Sequence, residues 1–262
     1  MTSTNHSDNQ AGPEPIGKTP AFPKIVTDYW LAQAGGDPNG PSVPAEPGRL
    51  RIVLDPDLPR SRRIMRLDLP GRGGLLTLTP ETAKRAGLDA GGEIGQAELD
   101  DALRRAGEAL NGADHLFYYA SDARETLREE TPPVQVRRLT ADDAEAFAAF
   151  AEAAPEDDMD DAFVELDHWL VFGCFADGRL VAAASMYPWS GTTFADLGVI
   201  TLPEYRGRGY ARQTVRAICA HALSLGYEPQ YRCQLDHDAS AALARAAGLS
   251  RFAAWDVVRD DD

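Results

Sequence analysis

Cysteine is scarce in this sequence, and no long apolar run occurs. Three cysteines, Cys174, Cys219 and Cys233, lie in apolar stretches, and their odd number disfavours a disulfide framework. We therefore expect buried thiols in a reducing compartment. No segment approaches the ~20 consecutive apolar residues that a membrane-spanning helix needs. Residues 1–12 are polar and lack the apolar region of a secretory signal. A cytoplasmic protein with no membrane partner is expected.

Positive charge is also scarce. The chain has 26 Lys and Arg against 41 Asp and Glu, a net charge of −15. Because phosphate contacts need positive surface, this balance disfavours nucleic acid as a general partner. The acidity is compatible with a cationic substrate, although it also serves solubility alone. Cys233 has no other ligands at the spacing of a metal site, so we predict no metal.

Glycine and proline divide the chain into segments. Residues 1–20 are polar and rich in proline and glycine, which predicts a disordered tail. The prolines of Thr131-Pro132-Pro133 mark a boundary between a smaller accessory α/β domain, 21–131, and a second domain, 132–262. In the first, apolar periodicity predicts three helices and four strands. The helices are 25–34, one opening at Thr79-Pro80-Glu81, and 96–110; the strands are 50–54, 64–69, 75–78 and 115–119.

The second domain shows a sharper pattern, with element order β-α-α-β-β-β-α-β-α-β. Strands joined through helices late in the chain indicate a mixed α/β sheet. Asp177-Gly178 predicts a hairpin between two of the strands. The predicted strands are 134–138, 169–175, 179–187, 194–202, 230–235 and 251–258. The predicted helices are 141–153, 157–166, 209–225 and 239–247.

One loop between a strand and a long helix carries the chemistry. Gly207 and Gly209 allow a tight turn, and the unpaired amides of the helix start favour an anion such as a diphosphate. Arg206, Arg208 and Arg212 add positive charge. The stretch is neither a Walker A loop nor a complete GxGxxG dinucleotide loop. A tight glycine turn with solvated arginines is the alternative interpretation.

The loop resembles the acetyl-CoA-binding motif of GNAT-superfamily N-acetyltransferases, Arg/Gln-x-x-Gly-x-Gly/Ala. The matching residues are Arg206-x-x-Gly209-x-Ala211, preceded by Pro203-Glu204-Tyr205. A second segment, 236–249, is similar to the part of the family that follows. The resemblance covers roughly residues 134–258. It implies an α/β (α+β) fold with a GNAT-like mixed central sheet and flanking helices in the C-terminal half, beside the smaller accessory domain.

The resemblance implies acetyl-CoA as co-substrate and no metal. Val199, Ile200 and Thr201 would line the thioester arm, with a backbone N–H facing the acetyl oxygen, although Val199 and Ile200 also suit a plain strand core. The diphosphate would be held by Arg206, Gly207, Arg208, Gly209, Tyr210, Ala211 and Arg212. An amine of a small molecule or peptide would then attack the thioester directly.

The general acid is open. Many family members place a tyrosine four residues before the glycine that ends the last helix, and here that position is Ala244. Tyr210, Tyr231 and His237 are alternatives that the sequence does not rank. We name His237 as a candidate catalytic residue, although it also suits a helix cap.

The general base is open as well. Asp196 lies on the strand before the loop and is our candidate, with Glu165 and Asp167 as alternatives. Each also suits a solvated carboxylate or a cap. The acidic run 156–161 would line an amine-accepting entrance or form a solvated helix face.

Two classes of function follow. The first is an acetyl-CoA-dependent N-acetyltransferase, whose N-terminal half shapes the acceptor cleft or forms a homodimer contact. The second is a non-catalytic acyl-CoA-binding or regulatory module, which the alanine at position 244 keeps open. Transfer of a longer acyl group is a third possibility. The acceptor amine is not indicated.

Overall fold

The computed structural model describes residues 20–37, 46–189 and 191–259. The tail predicted over 1–20 falls, apart from Pro20, outside these ranges. The strands are β1 Arg49–Leu54, β2 Ile64–Asp68, β3 Gly74–Leu78, β4 Glu93–Gly95, β5 Asp114–Tyr118, β6 Val136–Arg138, β7 Leu170–Ala176, β8 Arg179–Pro188, β9 Phe194–Thr201, β10 Glu228–Gln234 and β11 Ser250–Val257. The α-helices are α1 Lys24–Gln33, α2 Pro80–Ala86, α3 Gln96–Ala106, α4 Ser121–Glu129, α5 Ala144–Ala153, α6 Glu156–Ala162, α7 Tyr210–Ser224 and α8 Asp238–Ala246.

Turn and cap residues set several of these elements. Asp177 and Gly178 adopt φ angles of 51° and 80°, which closes the β7–β8 hairpin predicted for this pair. The hydroxyl of Thr79 accepts a hydrogen bond from the Thr82 N–H and caps α2 as expected. Gly107 at φ 71° ends α3. The helix predicted over 96–110 is therefore four residues too long.

All eleven strands belong to one sheet, in the order β4-β1-β3-β2-β11-β5-β10-β9-β8-β7-β6. The β6 to β9 strands are antiparallel neighbours, and β9 and β10 run parallel. The predicted fold class, a mixed central sheet with flanking helices, is confirmed.

A strand of the N-terminal part lies inside the C-terminal part of the sheet. β5 pairs antiparallel with β10 on one side and with β11 on the other. β11 in turn pairs with β2. The sheet is thus continuous across the boundary at residue 131, and the division into 21–131 and 132–262 stays a prediction.

The two faces of the sheet are covered by different helices. One face packs against α7, α8 and Leu127 of α4. The other packs against α1 through Val26 and Trp30, and against α5 and the end of α6. Because side chains alternate along a strand, Phe117 of β5 faces the first layer and Tyr118 the second.

The acidic helix α6 ends earlier than the sequence predicted. It stops at Ala162 because Phe163 takes a left-handed φ of 47°, whereas a helix to Leu166 was expected. The Ala162 carbonyl lies directly on Gly198 of β9, where an added Cβ would be 1.9 Å from that oxygen. Only glycine at position 198 allows this approach.

The cysteine prediction is confirmed in its structural part: Cys174, Cys219 and Cys233 are buried and unpaired. Within the described ranges, every helix is too short or too polar to cross a membrane.

Glu228, the first residue of β10, is a buried carboxylate. Its side chain is 2% exposed, and Oε2 lies 3.0 Å from Nη2 of Arg124 on α4. Oε1 is buried and has no hydrogen-bond partner among the described residues. Burial raises the pKa of Glu228 to about 7, although Arg124 and Arg128 act in the opposite direction.

A raised carboxyl pKa makes folding stability depend on pH. The folded chain holds the Glu228 proton more tightly than the unfolded chain, so its stability should fall as pH rises from 4.5 through about 7. The loss is at most about 3 kcal/mol. Urea unfolding at pH 5 and pH 8 should show a smaller fall for Glu228→Gln than for wild type. Exposed Glu129→Gln serves as control. Parallel losses in wild type and Glu228→Gln would contradict this assignment.

Candidate active site

The parallel strands β9 and β10 separate part-way along their length. They pair from Phe194 opposite Glu228 to Leu197 opposite Tyr231. Beyond that point β9 stays paired with β8, while residues 232–234 of β10 stay paired with β5. A cleft therefore opens between two strands that each keep a partner on the outer side.

Backbone groups of β9 face this cleft. The Leu202 N–H donates to the Val181 carbonyl at 3.0 Å, and the Phe194 carbonyl accepts from the Trp189 N–H at 2.8 Å. Even-numbered residues of β9 thus bond to β8, and odd-numbered residues point the other way. Since pairing with β10 ends at Leu197, the N–H groups of Val199 and Thr201 face the cleft.

The loop after β9 presents a second set of amides. Gly207 and Gly209 have φ angles of 73° and 83°, and Gly209 is the N-cap of α7 without a side chain to cap it. None of the N–H groups of residues 207–212 donates to an acceptor in the described ranges. Free amides at the positive end of a 15-residue helix suit an anion, and the anion site predicted from the sequence stays a prediction.

The arginines of the loop are held by neighbouring groups. Arg206 forms an ion pair with Asp158 of α6, and its Nε donates to the Thr201 carbonyl at 3.2 Å. The Arg208 guanidinium lies 5.3 Å from the ring centre of Tyr205. Arg212 is exposed. The ion pair brings the acidic helix α6 to the rim of the cleft.

Cleft and loop form one cavity of about 930 Å³. Its lining includes every residue predicted to hold the cofactor: Val199, Ile200, Thr201, Arg206, Gly207, Arg208, Gly209, Tyr210, Ala211 and Arg212. His237 and two carboxylates of the acidic run, Asp158 and Asp161, also line it. Asp196 does not.

Asp196 is 5% exposed and anchors a hydrogen-bond network behind the cavity wall. Its carboxylate accepts from the Tyr187 hydroxyl at 2.9 Å, from Gln230 Nε2 at 3.0 Å and from Arg232 Nη2 at 2.7 Å. These donors hold the carboxylate behind the cavity wall, where it does not line the cavity. The geometry gives no support to the base role predicted for Asp196.

The alternative bases lie elsewhere. Glu165 Oε2 is 3.4 Å from Nε2 of His168, whose Nδ1 lies 2.8 Å from the hydroxyl of Ser185. Neither Glu165 nor Asp167 lines the cavity.

His237 is a helix cap, the alternative that the sequence left open. Its Nδ1 accepts from the Ser240 N–H at 3.3 Å at the start of α8, and its ring is exposed at the cavity. Ala244, at the position of the family tyrosine, is fully buried in the core. The catalytic role predicted for His237 stays a prediction.

Tyr231 is the tyrosine placed deepest in the cavity lining. It is 3% exposed, and its hydroxyl lies 2.8 Å from the Ser240 hydroxyl. Burial raises the pKa of Tyr231 to about 12, so its hydroxyl keeps its proton at neutral pH. Tyr210 also lines the cavity but is less buried, and its ring centre lies 6.2 Å from that of Tyr205.

Two cavity residues were missed by sequence reasoning, Asp114 and Arg232. Arg232 is the one cation of β10, which was a usable signal. Asp114 precedes an apolar strand in the N-terminal part and carried no signal. Among the described residues no group of His, Cys, Asp and Glu is arranged to hold a metal ion.

Comparison with known proteins agrees with this geometry. Residues 135–249 match the model of the acetyltransferase (GNAT) family. This segment is a GNAT domain. The match contains the cleft strands, the loop and α8, whereas β5 and β11 lie outside it. No curated protein matches the chain.

Several solved structures are similar to the GNAT domain and its surroundings. A GNAT-family acetyltransferase from Novosphingobium aromaticivorans is 21% identical over 58% of this chain and 66% of its own, with a TM-score of 0.42. One from Colwellia psychrerythraea is 19% identical over 71% and 76%, with a TM-score of 0.47. An aminoglycoside N-acetyltransferase solved with CoA is 21% identical over 45% and 92%, with a TM-score of 0.36.

The network behind the GNAT cavity should matter for stability. Asp196→Ala leaves Arg232 largely buried, with only Asp114 as counter-ion, and should lower the free energy of unfolding by about 3 kcal/mol. The matched change Asp161→Ala, at an exposed cavity position, should cost less than about 0.5 kcal/mol. Urea unfolding followed by circular dichroism measures both. Equal losses would contradict the anchoring role.

Proposed function

We propose that this chain transfers an acetyl group from acetyl-CoA to a primary amine. The observation that carries the proposal is that β9 separates from β10 next to the free amides of residues 207–212. The cleft and these amides belong to one cavity. The GNAT match over 135–249 supports the same reading.

The loop suits the diphosphate of acetyl-CoA. Hydrogen bonds to charged groups contribute on the order of 1.5–3 kcal/mol each, so a few of these amides suffice to anchor it. Arg208 and Arg212 lie within reach of the same anion. The pantetheine arm would follow the cleft between Val199 and Tyr231, where a slender chain replaces the missing strand pairing.

The Val199 N–H would stabilise the oxyanion that forms when the neutral amine attacks the thioester carbon. The new C–N bond forms and the C–S bond breaks. The departing thiolate takes a proton from the Tyr231 hydroxyl, which regains one from the nitrogen of the product through the Ser240 hydroxyl or water. This assigns to Tyr231 the acid role that Ala244 does not supply.

We further propose that the amine belongs to a small molecule or a peptide. We also propose that the protein is cytoplasmic and forms a homodimer. Binding of acyl-CoA without transfer is the competing function, with the buried Ala244 in its favour. Release of free thiol from acetyl-CoA, measured with a polyamine, an aminoglycoside, an amino acid and a short peptide, separates the two. Thiol release that depends on one of these amines supports transfer.

Calorimetric titration with acetyl-CoA tests the site. Wild type should bind saturably, and at 100 Kd the ligand should stabilise the fold by about 2.7 kcal/mol. Gly209→Glu places a carboxylate among the loop amides and should weaken binding by about 100-fold, equivalent to the loss of one or two charged hydrogen bonds.

Gly107→Glu is the matched control. Gly107 ends α3, whereas Gly209 begins α7, but both glycines have a left-handed φ; at Gly107 it is 71°, an added Cβ would meet open space, and the residue lies outside the cavity. It should leave acetyl-CoA affinity unchanged. Folded wild type that binds no acetyl-CoA, or a Gly209→Glu variant that binds it normally, would refute the proposal.

A further inference from the structure

One carboxylate of the cavity comes from outside the GNAT domain. Asp114 is the first residue of β5 and lies opposite Gln234, the last residue of β10. It therefore sits beside the part of β10 that has left β9. Its side chain is 24% exposed and lines the cavity.

Arg232 holds Asp114 in place. Nη1 of Arg232 donates to Asp114 Oδ2 at 2.9 Å, while Nε and Nη2 of the same guanidinium bond to Asp196. The guanidinium also lies 4.5 Å from the ring centre of Trp189, which fixes its plane. The second oxygen of Asp114, Oδ1, accepts no hydrogen bond from any residue that the structure describes.

The other carboxylates near the cleft are placed differently. Asp196 is saturated by its donors and lies behind the wall. Asp158 is bound to Arg206 at the diphosphate end. Asp161 is exposed to solvent at the rim. Asp114 and Asp158 are both half-buried, and an arginine binds each of them through one oxygen, but Asp114 lies on the β10 wall, away from the loop that would hold the diphosphate.

We infer that Asp114 binds the ammonium group of the acceptor and takes its proton, so that β5 of the N-terminal part completes the active site. The inference rests on the proposed function. It makes the N-terminal part a source of a catalytic residue and not only a neighbour of the GNAT domain.

The proton balance is simple. An acceptor that arrives as R–NH3⁺ gives one proton to the Asp114 carboxylate, which later releases it to solvent. The neutral amine attacks the acetyl carbon, and a second nitrogen proton ends on the CoA thiol. The products are the amide, CoA thiol and one proton. Burial raises the pKa of Asp114, as does the nearby Asp196, while Arg232 lowers it. A carboxylate with a raised pKa is the stronger base.

Few charged or titratable groups face Asp114. Arg232 and Cys233 approach it from β10, and Asp196 acts on it from β9. The pKa of the Cys233 thiol is raised by burial, so it stays protonated near neutral pH. The fall in activity on the acid side of the pH profile should therefore follow the protonation of Asp114, whose neighbours are Arg232 and Asp196.

The test compares Asp114→Asn with wild type, using acetyl-CoA and whichever probe amine wild type acetylates. Asparagine keeps an acceptor for Arg232 but cannot take a proton. We expect acetyl-CoA affinity within twofold of wild type and kcat/KM at pH 7 lower by about 10²- to 10⁴-fold. The deficit should shrink as pH rises toward the pKa of the amine itself, near 10 for an alkylamine.

Asp256→Asn is the matched control, because Asp256 is a buried carboxylate on β11 with a raised pKa, caused chiefly by burial, outside the cavity. It should leave the pH profile unchanged.

Asp114→Glu keeps the carboxylate and should recover part of the activity, with the fall in activity at low pH shifted. It tests the role even if the asparagine variant does not fold. An Asp114→Asn variant with a wild-type pH profile, or an Asp114→Glu variant in which that fall is not shifted, overturns the inference while the proposed function stands. Failure of wild type to bind acetyl-CoA overturns both.

Discussion

The site depends on the separation of the parallel strands β9 and β10, and β10 must keep a hydrogen-bonded neighbour where it leaves β9. Backbone N–H and C=O groups inside a sheet need partners, and a strand freed from its neighbour on both sides is not stable. Here residues 232–234 of β10 leave β9 but keep full pairing with β5. β9 likewise stays paired with β8 to Thr201. The cleft can therefore open to the width of a ligand because an N-terminal strand holds one of its walls.

The charges in this acidic chain are arranged along the same cleft. At the loop, free amides and the nearby Arg208 and Arg212 favour an anion. At the other end Arg232 is neutralised by Asp196 and Asp114, which leaves an acidic end. A substrate pair made of a diphosphate ester and an ammonium compound would match this polarity. The net charge of −15 would also give a cationic substrate a favourable long-range field.

The loop after β9 could be predicted from its local sequence, because the residues that define it are consecutive. Gly207 and Gly209 take the left-handed backbone that the turn required. Most strands and the long helix α7 followed from apolar periodicity. The helix α4 was missed because Leu127 is its only buried residue, so that no apolar stripe marks it. The end of α6 was misplaced because its stop is the left-handed Phe163, a residue that rarely adopts this conformation.

What the sequence could not provide was long-range pairing. The insertion of β5 between β10 and β11 joins residues more than 100 positions apart, and no local pattern encodes it. For that reason Asp114 was not among the candidates, and Asp196 was assigned to catalysis although it is committed to Arg232. His237 shows the opposite case, since a cap is a local role and was foreseen as an alternative.

A crystal structure with bound acetyl-CoA would show whether the cleft between β9 and β10 holds the cofactor. The diphosphate should lie on the amides of residues 207–212, and the pantetheine should lie between β9 and β10. The thioester oxygen should lie about 2.7–3.1 Å from the Val199 N–H. Acetyl-CoA bound outside the cleft would show that the cleft is not the cofactor site, and a Val199 N–H directed away from the thioester would exclude its role at the oxyanion.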